Sequence, residues 1–99
     1  MKVIIENGNP VVAQLQGRLD TAAAVEVTPD FQALSEQAAS HIILDCAQLE
    51  YISSSGLRLF LALRKDSAAK GGKLQVRAIN ADIRQVFMMT GFISLFDII

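Results

Sequence analysis

Tryptophan is missing from this chain of 99 residues, and cysteine and histidine occur once each. A lone Cys46 cannot close an internal disulfide, so a cross-linked framework is excluded and a reducing compartment suits the chain. Its expected place is that of a small buried hydrophobe near a strand end. With His41 as the one histidine, the usual ligand set of a metal site is out of reach without several carboxylates, so neither metal nor cofactor is expected. Charge is also short on both sides: nine basic against ten acidic residues leave a formal net charge of -1, which gives no electrostatic footprint for nucleic acid. No apolar run approaches the roughly 18 to 20 residues of a membrane span, and Met1-Lys2-Val3-Ile4-Ile5-Glu6 lacks the core of a signal peptide. A soluble, untargeted, cytoplasmic product without membrane insertion is expected, with protein as its partner.

Catalytic signatures are missing as well. Ser53-Ser54-Ser55-Gly56 lacks the first glycine of a Gly-x-Ser-x-Gly elbow, and Gly71-Gly72 lacks the spacing of a phosphate loop. No catalysis is assigned. Repeats, low-complexity tracts and Gly/Ser linkers are equally absent, so residues 1–99 read as one domain, large enough to bury roughly 60 to 70% of its unfolded surface.

What is present is an alternation of strand and helix patterns. Val3 to Glu6 and Val11 to Gln16 flank Asn7-Gly8-Asn9-Pro10, the composition of a tight turn, and predict a hairpin whose second strand ends at Gly17. The Ala-rich Thr21 to Val27 fits either a loop or an early helical turn. Thr28-Pro29-Asp30 reads as N-cap, first helical residue and first-turn acid, with Phe31, Leu34 and Ala38 at helical spacing behind. Ile42 to Leu44 is a continuous apolar run, expected to be a central strand covered on both faces. Leu57, Phe60, Leu61 and Ala68 predict the inward face of the next helix, leaving Leu59, Ala62 and Leu63 pointing away, and Gly71-Gly72 stops it. Leu74 to Ala78 reads as a strand. Asn80 caps a last helix with Ile83, Val86 and Phe87 inward, Met88-Met89 as core filling and Gly91 at its end. The pattern implies an α/β fold, a mixed four- to five-stranded sheet with helices packed over it and right-handed crossovers.

Three consecutive serines, Ser53 to Ser55, sit where the central strand gives way to a helix. The first N–H groups of a helix lack intrahelical partners and carry the positive end of its dipole, so a serine here can be an N-cap or a site that tolerates phosphate. The surrounding run Ile42-Ile43-Leu44-Asp45 through Tyr51-Ile52-Ser53-Ser54-Ser55-Gly56-Leu57-Arg58 resembles the signature of the STAS domain, the family of bacterial anti-sigma factor antagonists. Gly17-Arg18-Leu19-Asp20 is similar to the Gly-x-Leu-Asp after that family's second strand, and Thr90-Gly91-Phe92 with Phe96-Asp97-Ile98 to its closing pattern. The resemblance covers nearly the whole chain, in order, and implies a single STAS domain over 1–99.

It also implies roles. Ser54 stands where the family's phosphorylated serine stands, with Ser55 as the fallback. Ser53 departs from the pattern, which usually has Asp there; a neutral hydroxyl removes a charge beside the acceptor serine. Asp20 matches the family's loop acid near the serine, and reads equally well as an ordinary helix-start acid; Asp45 is expected to bond loop backbone. Gly56 permits close approach, whether of a phosphate or of packing side chains. With Arg58, Leu59 and Ala62, these residues make up the expected partner-binding face. The function implied is capture of an anti-sigma factor, switched off when a serine kinase, often that same anti-sigma protein, phosphorylates Ser54, and reset by a serine phosphatase. The alternative is a STAS adaptor or accessory subunit that does not switch. Apolar Phe92, Leu95 and Phe96 near the end of the chain predict a weak homodimer or partner contact there.

Overall fold

The turn at Asn7 to Pro10 does fold the first two strands into a hairpin: β1 (Lys2–Glu6) runs antiparallel to β2 (Val11–Leu19), with Ile4 opposite Gln14. The structure, a computed structural model, describes residues 1–99. The chain continues through α1 (Thr21–Glu26), α2 (Thr28–Glu36), β3 (His41–Ile52), α3 (Ser54–Ala69), β4 (Lys73–Arg77), α4 (Ala81–Thr90), α5 (Phe92–Leu95) and β5 (Asp97–Ile98). Five strands form one sheet in the order β1-β2-β3-β4-β5, and every pair after the hairpin is parallel. Parallel neighbours need crossovers, and helices supply them. All crossover helices therefore start at the same end of the sheet.

Pleating decides which strand residues meet those helices. Val11, Ala13 and Leu15 of β2, Ile42, Leu44 and Cys46 of β3, and Val76 of β4 point to one face and join a single buried cluster with Phe31, Leu34, Phe60, Leu63, Ile83 and Phe87 from the helices. Phe60 is its centre, with ring centroids 5.9 Å from Phe31 and 6.2 Å from both Phe87 and Phe96. The opposite face has no helical cover. It carries polar pairs instead: Arg77 Nη2 donates to Asp45 Oδ2 at 2.9 Å, and Gln75 bridges His41 and Asp97. The run Ile42 to Leu44 is thus central but helix-covered on one side only; Ile43 is buried on the other face by its neighbours within the sheet.

Other expectations need correction. β2 does not stop at Gly17, which takes φ +103°, but runs on to Leu19; the register shifts beside Gly17 because β3 carries an extra residue, Glu50, between the partners of Gly17 and Arg18, and β3 likewise extends to Ile52. Thr28 is the first residue of α2, not its cap, and its hydroxyl donates to Ala24 O. The inward stripe of α3 is Leu57, Phe60, Leu63 and Ser67, with Leu63 at 1% exposure, whereas Leu61 is half-buried and Ala68 exposed. Leu57 marks the edge of that stripe and not its middle, which turns everything by about one residue's 100°. Met88 and Met89 are 62% and 79% exposed because Ile83 and Phe87 already set the inward face of α4. Phe96 is buried and Phe92 half-buried in the aromatic cluster, so of the residues expected to form a terminal patch only Leu95 is exposed.

Candidate functional site

Two strand-to-helix junctions lie side by side where β2 and β3 end, Leu19 being paired with Ile52. Both are built alike. Asp20 leaves β2 in an extended conformation and its Oδ1 accepts from the Ala23 N–H at 2.8 Å; Ser53 leaves β3 in the same way and its Oγ accepts from the Gly56 N–H at 3.2 Å. The backbone oxygen of each cap takes the next amide, Ala24 N–H on Asp20 O and Leu57 N–H on Ser53 O, both at 2.9 Å. The Ser53 N–H donates to Leu19 O at 2.8 Å and ties the two junctions together.

Capping at α3 therefore belongs to Ser53, which is buried. Ser54, first residue of the helix, is exposed and its hydroxyl makes no hydrogen bond within the chain. Ser55 is half-buried. Gly56 is closed in: a Cβ there would stand 2.7 Å from Leu19 Cγ and 3.0 Å from Ile52 Cγ1. Packing, rather than room for a phosphate, accounts for this glycine. Asp20 has the helix-start role, as the exposed cap of α1.

Beside the serines, α1 and α3 enclose a shallow groove of about 210 Å³ lined by Thr21, Ala24, Val25, Thr28, Ser55, Arg58 and Leu59. Of the residues expected to meet a partner, Ser55, Arg58 and Leu59 line it, Ser54 and Asp20 stand at the helix starts around it, and Ala62 lies one turn farther along α3, exposed. The α1 wall comes from the Ala-rich stretch left open between loop and helical turn, which carries little amphipathic contrast; the helical alternative holds. Its signal was Asp20 followed by Ala23, Ala24 and Val27 at helical spacing, which are the buried positions here. Val25 between them is 74% exposed.

Two further features bear on chemistry. The Arg18 guanidinium lies 4.5 Å above the Tyr51 ring at the same end of the sheet. Cys46 is buried, and burial together with the nearby Asp45 charge pushes its thiol up to about 12, so it stays protonated and unreactive. Burial also pushes Asp45 up, but Arg77 and the Ala47 N–H outweigh it and hold the carboxyl below its ordinary value. Asp45 is expected at a strand end bonding loop backbone; because β3 runs on to Ile52, the amide it takes instead, Ala47 N–H at 3.0 Å, belongs to the strand itself. Nowhere do three or more His, Cys, Asp or Glu side chains gather as a metal would require. No helix is long and apolar enough to cross a membrane.

Comparison with known proteins gives a consistent set of likenesses. The family model for the STAS domain matches residues 1–99. BtrV of Bordetella bronchiseptica, a candidate anti-sigma factor antagonist, is 32% identical over 88 residues, covering 89% of this chain and 76% of BtrV. The anti-sigma F factor antagonist of Paenibacillus polymyxa is 29% identical over 90 residues, again 89% of this chain and 76% of that protein. Among solved structures, the phosphorylated form of the Bacillus cell fate determinant SpoIIAA superposes with a TM-score of 0.73 at 24% identity, covering 99% of this chain and 91% of that one.

Proposed function

The chain belongs to the STAS domain family, and from that premise we propose that it is an anti-sigma factor antagonist released from its partner by phosphorylation of Ser54. The observation that carries the reading is a division of labour at the start of α3. Ser53 caps the helix and is buried, which leaves the Ser54 hydroxyl exposed and unbonded at the first helical position, beside the α1/α3 groove.

The groove suits a protein partner. Apolar Val25 and Leu59 and the exposed Ala62 offer surface to be covered, and Arg58 offers a cation at their edge. A phosphate on Ser54 adds about -1.5 to -2 charge. In the free domain it meets the unpaired N–H groups and the dipole of a 16-residue helix. Arg58 lies four residues on, where side chains of one helix face meet, and forms no ion pair in the unmodified chain. The phosphate is therefore stable in the free domain but must be desolvated in the complex, and it withdraws Arg58 from the partner. Ser55 as the acceptor would place the same charge inside the groove.

In the circuit proposed, an anti-sigma factor serine kinase modifies the serine and a serine phosphatase resets it. The test incubates wild type and Ser54→Ala with the kinase and ATP, then measures intact mass and partner affinity. Wild type gains one phosphate and binds at least about 100-fold more weakly, the loss expected when a charge is buried without a partner; Ser54→Ala gains none and binds as before. Equal phosphorylation of both proteins moves the switch to Ser55. Phosphorylated wild type that binds undiminished removes the switch and leaves a non-switching adaptor.

A further inference from the structure

The sheet has two edges, and they differ. β5 at one edge pairs over only two residues. β1 at the other is a five-residue strand with one neighbour, β2, and no other backbone hydrogen bond reaches it. An open edge presents a row of unpaired N–H and C=O groups, and proteins commonly blunt it with proline, a bulge or a covering segment. β1 has none of these.

Its sequence, Lys2-Val3-Ile4-Ile5-Glu6, reads as its own complement when reversed. From this we infer that β1 is a self-association edge whose partner is β1 of a second copy, joined antiparallel about a two-fold axis at Ile4. Residues opposite each other then sum to one value: Lys2 faces the second copy's Glu6, Val3 faces Ile5, and Ile4 faces itself. Lys2 and Glu6 lie on the open face, and Val3 and Ile5 on the helix side, where they are only half-buried against the core. Pairing covers both sets at once. The other symmetric registers, pivoting on Val3 or on Ile5, set Ile4 against Lys2 or Glu6 and leave both charges without a partner.

Within one copy both charges are exposed and neither has an ionic partner. Lys2 takes part in no ion pair, and Glu6 holds only the Gln14 amide, at 3.2 Å through Oε1. Cross-strand pairs of opposite charge favour a register, and like charges oppose it. Five residues per copy make a small interface, so the association is weak and depends on concentration. The result is one ten-stranded sheet, five strands from each copy, with both helical layers on the same side.

Sedimentation of the full chain at rising concentration, up to about millimolar, tests this. Wild type shows a monomer–dimer equilibrium. Ile4→Lys sets two ammonium groups against each other on the axis and weakens it by roughly tenfold or more. Glu6→Lys weakens it too, and adding Lys2→Glu to Glu6→Lys restores it, because the charges have exchanged sides. Circular dichroism checks that each variant is folded; should Ile4→Lys unfold, the charge exchange decides alone. A wild type that stays monomeric at millimolar concentration overturns the inference. So does a dimer indifferent to Glu6→Lys, or one that the exchange fails to recover.

Discussion

The junctions at Asp20 and at Ser53 solve the same problem at adjacent strand ends, and they differ at the cap and at the residue whose amide it bonds. Each ends a parallel strand, caps a helix through the amide three residues on, and hands the next amide to its backbone oxygen. At α1 the cap is a charged, exposed Asp20 and the bonded amide belongs to Ala23; at α3 the cap is a neutral, buried Ser53 and the amide belongs to Gly56. Only the second begins a long helix with a free serine hydroxyl. Capping and packing are thus divided between neighbouring residues, which leaves a third free for the switch proposed above. Ser53 takes the structural work, Gly56 lets the helix start lie close on Leu19 and Ile52, and Ser54 is left over.

Substitutions at equivalent positions sharpen this contrast. The largest effect is expected at the third helical position. Gly56→Ala drives a methyl into Leu19 and Ile52 and is expected to cost about 1–3 kcal/mol, the range for overpacking, measured as a shift in urea midpoint. Ala23→Gly at the matching place in α1 loses a methyl and helix propensity, about 1 kcal/mol. If Gly56→Ala proves neutral, the close approach at α3 is not a constraint and the two junctions are equivalent.

The caps come next. Ser53→Ala leaves the Gly56 N–H without its partner in a buried place, so a loss near the upper end of about 0.5–2 kcal/mol is expected; Asp20→Ala, where water can replace the carboxylate, falls near the lower end. Equal losses would show that burial does not distinguish them. Ser53→Asp, which supplies the residue common in the family, should keep the cap and raise the pH at which a Ser54 phosphate takes its second negative charge, seen by phosphorus NMR, because a like charge opposes ionisation.

The smallest effect lies outside both junctions, at the Asp45–Arg77 pair. Asp45 has its folded pKa lowered, so its contribution is complete above the unfolded carboxyl value of about 4 and is lost as pH falls through the lower folded value. The pair is partly open to solvent, Arg77 more than Asp45, which limits it to under about 1 kcal/mol. Asp45→Asn should be less stable than wild type near pH 6, and the gap should narrow as pH falls below the unfolded carboxyl value of about 4.

Much of this was legible in the chain itself. The Asn7 to Pro10 turn, the Asn80 cap, Gly91 at the end of α4 and the alternation of strand and helix are local matters of backbone preference and period, so neighbouring residues alone determine them. The serine cluster at a strand-to-helix junction was legible for the same reason, and so was the resemblance that singled out Ser54. What local pattern left open was rotation and register. Which of Ser53 and Ser54 caps α3 depends on where β3 ends, and β3 runs to Ile52 because its last residues pair with β2 beyond the register shift at Glu50. Whether Leu61 or Leu63 faces inward depends on how α3 settles against Phe31, Phe87 and Phe96. The groove beside Ser54 exists only because right-handed crossovers bring α1 against α3, elements more than 25 residues apart in the chain. Periodicity tells a helix that it has an apolar side; only the sheet and the other helices decide which way that side turns, because burial is shared among segments that meet in space and not in sequence.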